Sequence, residues 1–142
     1  MPINPDALGS KGESLPKKWS SRDSMIYALG VGAGTDELAF TTENTMDVPQ
    51  RAFPTQAVTL ADVSPAFGTI GTFNPAMLVH GEQRVVCHSE LPPAGEVTTV
   101  SEITAIWDKG KGAVVEVTAV STDVATGTPL FTNVTSAFIR GE

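Results

Sequence analysis

The chain has 142 residues, of which 41% are hydrophobic and 18% charged, with a formal net charge of −7. That length suits one domain with apolar material for a core, and the charged fraction falls below the roughly 25% of an average soluble domain, which leans toward extra buried surface such as a subunit interface. The acidic balance excludes recognition of nucleic-acid phosphates through a basic face, and likewise electrostatic attraction to anionic lipid.

Residues 1 to 18, with Pro2, Pro5 and Pro16 among Gly, Ser and Lys, read as an extended N-terminal arm, and residues 19–142 as one domain. Trp19 is expected to dock the arm onto the body. Ser20-Ser21-Arg22-Asp23 is a helix-start signal, because these side chains accept bonds from orphan backbone N–H groups. Met25, Ile26 and Leu29 follow at helical spacing. The helix should fail in Gly30-Val31-Gly32-Ala33-Gly34, where three glycines carry too much backbone entropy. A dinucleotide loop needs a strand before such glycines and a helix after them, and here the order is reversed. A helix end and turn is the favoured reading.

Residues 38–46 suggest a short strand, broken by Pro49. Phe53-Pro54 opens a run through Ala57, Val58, Leu60, Ala61 and Val63 that is apolar nearly all round, as expected of a helix enclosed by sheet. Ser64-Pro65 should end or kink it. Residues 68–76 read as a loop. A strand then starts around Leu78. Three further strands are expected over 96–107, 113–122 and 130–139, all dense in β-branched residues. In the second of these, Val115, Val117 and Ala119 share one face against Glu116 and Thr118. The connections are short, which implies antiparallel pairing. The fold class is therefore α+β: an antiparallel sheet around one central helix.

The densest polar cluster is His80-Gly81-Glu82-Gln83, set between Met77-Leu78-Val79 and Arg84-Val85-Val86. In a regular strand His80 and Glu82 point to one face and Gln83 to the other. A His–Glu pair can do general acid–base work, yet without a visible orienting group the cluster is better read as satisfied polar structure. His88 is expected to cap the strand end at the surface. Cys87 is the single cysteine, so no intrachain disulfide is possible and a reducing cytoplasm is the simpler setting. A buried inert thiol is expected there, since a nucleophile needs a positioned base. Trp107 is expected in core or interface packing. No metal site is expected from two His and one Cys without ligand spacing. No apolar run approaches the roughly 18 residues of a membrane span, and no secretory signal opens the chain.

Leu78-Val79-His80-Gly81-Glu82-Gln83, Leu91-Pro92-Pro93-Ala94-Gly95 and Asp108-Lys109-Gly110-Lys111-Gly112 resemble the N-terminal half of type 2 enoyl-CoA hydratases, members of the MaoC-like dehydratases of the hot-dog fold. Tyr27 to Ala33 and Phe53-Pro54-Thr55 resemble that half too, so the likeness runs from about Trp19 to Gly141. It implies a long helix wrapped by an antiparallel sheet. The implied chemistry is reversible hydration of a trans-2-enoyl-CoA to an (R)-3-hydroxyacyl-CoA, with no cofactor. In similar enzymes an Asp and a His in a Gly-Asp-x-Asn-Pro-x-His motif activate the water. Gly71-Thr72-Phe73-Asn74-Pro75-Ala76-Met77 only echoes that motif, with Thr72 and Met77 where the Asp and His would stand.

The resemblance thus implies a half-enzyme without catalytic residues of its own, which shapes an acyl-CoA site beside a second hot-dog unit carrying the dyad. His80, Gly81, Glu82, Gln83, Phe53 and Thr55 would be its substrate-binding residues. Two other readings stand beside it. One is a self-sufficient homodimeric hydratase or thioesterase using His80 and Glu82, with Asp62 as the one carboxylate near the helix. The other is a non-enzymatic acyl-CoA-binding subunit. Fatty, steroid-derived and polyketide-like acyl groups all fit.

Overall fold

The computed structural model describes residues 3–141. Among them the sheet has five strands: β1 (Leu15–Trp19), β2 (Leu78–Cys87), β3 (Gly95–Asp108), β4 (Gly112–Asp123) and β5 (Pro129–Arg140). The order is β1-β3-β4-β5-β2, and every pairing is antiparallel. The meander expected over the last fifty residues is present. Asp108 Oδ1 accepts from Gly110 N–H (2.6 Å) to close one of its turns. Val115, Val117 and Ala119 are fully buried, while Glu116 and Thr118 stand on the opposite face.

Helix α1 (Ser21–Gly30) begins where the sequence signals it. Ser20 and Asp23 form a capping box: the Ser20 side chain accepts from Asp23 N–H, and Asp23 accepts from Ser20 N–H at 2.7 Å. The helix stops at Gly30, at the head of the glycine run. Trp19 is buried and its indole N–H donates to Pro92 O (2.9 Å), so it does hold the N-terminal segment to the body.

Three expectations fail. The segment before Trp19 is not a loose arm: β1 pairs with β3, and Ile3 and Ala7 are buried in the core. Pro16 lies within β1, an edge strand of the sheet, opposite Thr98, and Pro5 starts a short 3-10 turn (Pro5–Ala7), and neither prevents packing. Residues 38–46 form no strand; Leu38–Thr41 is the short helix α2, whose Thr41 and Thr42 hydroxyls bond back to the Glu37 and Leu38 carbonyls.

The central helix is broken as well. A 3-10 turn (Pro54–Gln56) leads into α3 (Ala57–Leu60), the backbone turns extended at Ala61, and α4 (Ser64–Phe67) restarts after it. The residue before a proline disfavours the helical region, and Pro65 fits the first turn of a new helix better than the middle of an old one. Asp62 Oδ1 accepts from Ser64 N–H (2.8 Å) across the break.

The break divides the core. α3 packs with Trp19, Leu91, Val97, Leu130 and Phe131, whereas α4 packs with Ile70, Ile103, Val115, Val117 and Ile139. Between the two clusters, the inner face of the sheet carries Ser101, Asn133, Thr135 and Gln83.

Candidate functional site

β2 is the edge strand at the end of the sheet opposite β1. Its regular alternation is interrupted once. His80 pairs with Ala137 and Glu82 with Ser136, so Gly81 is one extra residue, a bulge. A side chain there would be crowded: a Cβ on Gly81 would lie 3.3 Å from the Ser136 carbonyl.

The bulge overturns the facing expected of a regular strand. His80 and Gln83 now share the inner face, where the His80 ring nitrogen Nε2 lies 3.1 Å from Gln83 Oε1. Glu82 turns to the outer face, beside a shallow cavity of about 360 Å³ lined with Trp107, Lys109 and Ser136. His80 and Glu82 are therefore not a pair.

The inner-face polar groups form a directional chain. Asn133 Nδ2 donates to the Ala57 carbonyl (3.0 Å), which can only accept. That leaves Asn133 Oδ1 to accept from Gln83 Nε2 (3.1 Å). Gln83 Oε1 then faces outward along the chain and accepts from the Thr135 hydroxyl (2.8 Å). It is also the partner of His80, so the His80 Nε2 must carry the proton in that bond. Asn133 and Thr135 are buried and His80 is open to solvent. The chain runs from a surface imidazole to the first turn of α3, and it contains no carboxylate.

Phe53 and Thr55 lie elsewhere. Phe53 stacks on Phe40 at 4.1 Å, with the Arg51 guanidinium over the Phe40 ring. Thr55 Oγ1 accepts from the Tyr27 hydroxyl (2.9 Å). Gln83, through Asn133, reaches the Ala57 carbonyl just beyond this segment. Asn133 and Thr135 were not candidates from sequence. They sit in an apolar strand, and only the β2–β5 register makes them partners of Gln83.

Cys87 is exposed, contrary to the buried thiol expected; its Sγ is 3.8 Å from Pro54 O. His88 is at the surface, with Nε2 2.8 Å from the Thr132 hydroxyl. Trp107 is 43% exposed on the outer face, with the Lys109 ammonium 5.9 Å from its ring, so it is not a core residue of this chain. Asp62 is an exposed turn residue committed to Ser64 N–H. Among the described residues no three His, Cys, Asp or Glu side chains converge as a metal site. Nor is any helix there long and apolar enough to cross a membrane.

A five-stranded antiparallel sheet folded over short helices defines the chain as a MaoC-like hot-dog protein. It belongs to the MFE-2 hydratase 2 N-terminal domain family, whose model matches residues 18–141. It is 40% identical to the 3-hydroxyacyl-thioester dehydratase Y of Mycobacterium tuberculosis over 144 residues, covering 100% of this chain and 50% of that protein. It is 36% identical to a probable enoyl-CoA hydratase 2 of Dictyostelium discoideum, covering 94% of this chain and 47% of that one. The crystal structure of a MaoC-like dehydratase from Phytophthora capsici superposes with a TM-score of 0.80 at 30% identity, over 98% of this chain and 50% of that chain. The chain thus spans about half the length of these relatives.

Proposed function

We propose that this chain is the non-catalytic hot-dog half of an (R)-specific enoyl-CoA hydratase, acting beside a second hot-dog unit that supplies the acid–base pair. The observation that carries the reading is the separation made by the Gly81 bulge. His80 is tied as a hydrogen-bond donor to a neutral amide, and Glu82 is on the other side of the sheet. A hydration step must add oxygen at C3 and a proton at C2 of the enoyl thioester, which needs a base poised on a water. A histidine whose Nε2–H is committed to Gln83, with no carboxylate behind it, is poorly placed for that work.

In this reading the inner face of β2 supplies part of the acyl-thioester site. His80, Gly81 and Gln83 stand at its mouth, and Phe53 and Thr55 flank the α3 end. The relatives, twice as long, are 3-hydroxyacyl-thioester dehydratases and enoyl-CoA hydratases by name.

The test is a hydration assay on crotonyl-CoA and on a longer enoyl-CoA. The purified chain is run alone, then with a hot-dog protein carrying Gly-Asp-x-Asn-Pro-x-His. Turnover is expected only in the mixture. Turnover by the chain alone would move the chemistry back to His80 or Glu82.

A further inference from the structure

At the end of the sheet away from β2, a cavity of about 340 Å³ opens between β1, α1 and α3. It adjoins a second of about 420 Å³, and Lys17, Thr59 and Leu60 line both. Together they fall within the size range of small-molecule sites. The β1 alternation builds the wall, because Trp19 points inward and is buried, and Lys17 is two residues before it on the same face. Tyr27 of α1 forms the opposite side.

The floor is Gln56. Its residue exposure is 2%, and its Oε1 is buried without a hydrogen-bond partner among the described residues. A buried acceptor without a partner is unfavourable, and a ligand donor brought to Gln56 would relieve it. A carboxamide can turn about its last bond and so meet either an N–H or a C=O. At the mouth stand Lys17 and Lys18. Lys18 is paired with Glu96, whereas Lys17 makes no ion pair among the described residues. Asp23 on the rim is committed to the α1 cap and also feels the Lys17 charge, and Asp62 lines the second cavity.

We propose that this cavity is a second ligand site, separate from the β2 cluster, for a slim chain that carries a secondary amide and ends in an anion. The amide meets Gln56, the apolar stretch lies between Trp19 and Leu60, and the anionic end meets Lys17. Two sources share that chemistry: the phosphopantetheine arm of a thioester carrier, and a free N-acyl amino acid. The assignment does not rest on the hydratase reading, and neither probe below contains an enoyl group.

The experiment titrates 4′-phosphopantetheine and, separately, N-acetylglycine into the full chain while following the Trp19 indole N–H by 1H–15N NMR. A saturable shift is expected from at least one probe, and which one responds identifies the source. Gln56→Leu, near in volume and free of a buried polar group, should weaken binding at least tenfold with an unchanged far-ultraviolet spectrum. Lys17→Gln should weaken it several-fold at low salt and little at high salt. No saturable shift from either probe at millimolar concentration would overturn the proposal, as would a shift that Gln56→Leu leaves intact. If Gln56→Leu fails to fold, Gln56→Glu serves instead: the added negative charge at the floor should repel both anionic probes, and undiminished binding would overturn the assignment.

Discussion

Gln83 and Asn133 meet across the β2–β5 pair, side chain to side chain, with Gln83 Nε2 donating to Asn133 Oδ1 at 3.1 Å. The two residues sit diagonally in the ladder, since Gln83 is opposite Thr135 and Asn133 opposite Val85. This bond joins the surface end of the inner-face chain to its buried end. Gln83→Leu therefore leaves the Asn133 acceptor and the Thr135 hydroxyl without their partner. We expect a loss of about 1–3 kcal/mol, read as a lower urea midpoint at unchanged slope. His80→Ala removes only the exposed end of the chain and should cost less than about 0.5 kcal/mol. Equal losses from the two would mean that the chain is not organised around Gln83.

Turnover separates fit from chemistry. In the proposed two-unit hydratase, His80→Ala is expected to alter KM or subunit affinity while kcat stays within about tenfold. Replacing the Asp of the partner's motif should lower kcat by about 10²–10⁴, the usual scale of a lost acid–base group. A His80→Ala loss as deep as the partner's would show that His80 does chemistry.

The α1 cap carries a pH dependence. The Asp23 carboxyl is held below its ordinary range by the Ser20 backbone N–H first, then by the Ser20 hydroxyl. A carboxylate with a depressed folded-state pKa contributes stability above its unfolded value, near pH 4, and loses it as pH falls through the folded one. Asp23→Asn should thus lower the melting temperature at pH 7 and make progressively less difference below about pH 4. Ser20→Ala removes the reciprocal bond and should cost about 1 kcal/mol at neutral pH. A difference between wild type and Asp23→Asn that is flat from pH 7 to pH 3 would contradict this account.

Close backbone approach makes Gly112 irreplaceable. A Cβ there would lie 2.4 Å from the Ile139 carbonyl and 2.7 Å from the Phe138 ring. Because the first of these is backbone paired within the β4–β5 ladder, it cannot move aside cheaply. Gly112→Ala should destabilise by about 1–3 kcal/mol, the range of an overpacked core, measured by chemical denaturation. A neutral result would imply that the β4–β5 register relaxes at its end.

Much of this molecule is legible in its sequence. The Val115-Glu116-Val117-Thr118-Ala119 alternation fixes which face of β4 is buried, and Ser20 with Asp23 fixes where α1 starts. What was not legible shares a physical cause, in that long-range pairing overrides local tendency. Leu15 to Trp19 carries a proline and two lysines and looks like an arm, yet its pairing with β3 makes it a strand. Gly81 gives no local sign of whether it sits in the ladder or bulges out, and the difference moves Glu82 to the opposite face. Ser64-Pro65 was legible as an end or kink, but the earlier break at Ala61 follows from how Asp62 and Ser64 bond, which a hydrophobic pattern does not contain. Asn133 and Thr135 could be found only once β5 was laid against β2.

The outer side of β2 makes no ladder with another strand among the described residues, over ten residues from Leu78 to Cys87. Val79 and Val86 are exposed along it. A row of open amides and carbonyls of that length is adhesive, and only Glu82 and Arg84 supply charge to discourage it. An isolated preparation of the chain is consequently expected to be a concentration-dependent mixture. Its colloidal behaviour, its apparent mass in dilute and in strong solution, belongs to the same strand edge that a second hot-dog unit would cover.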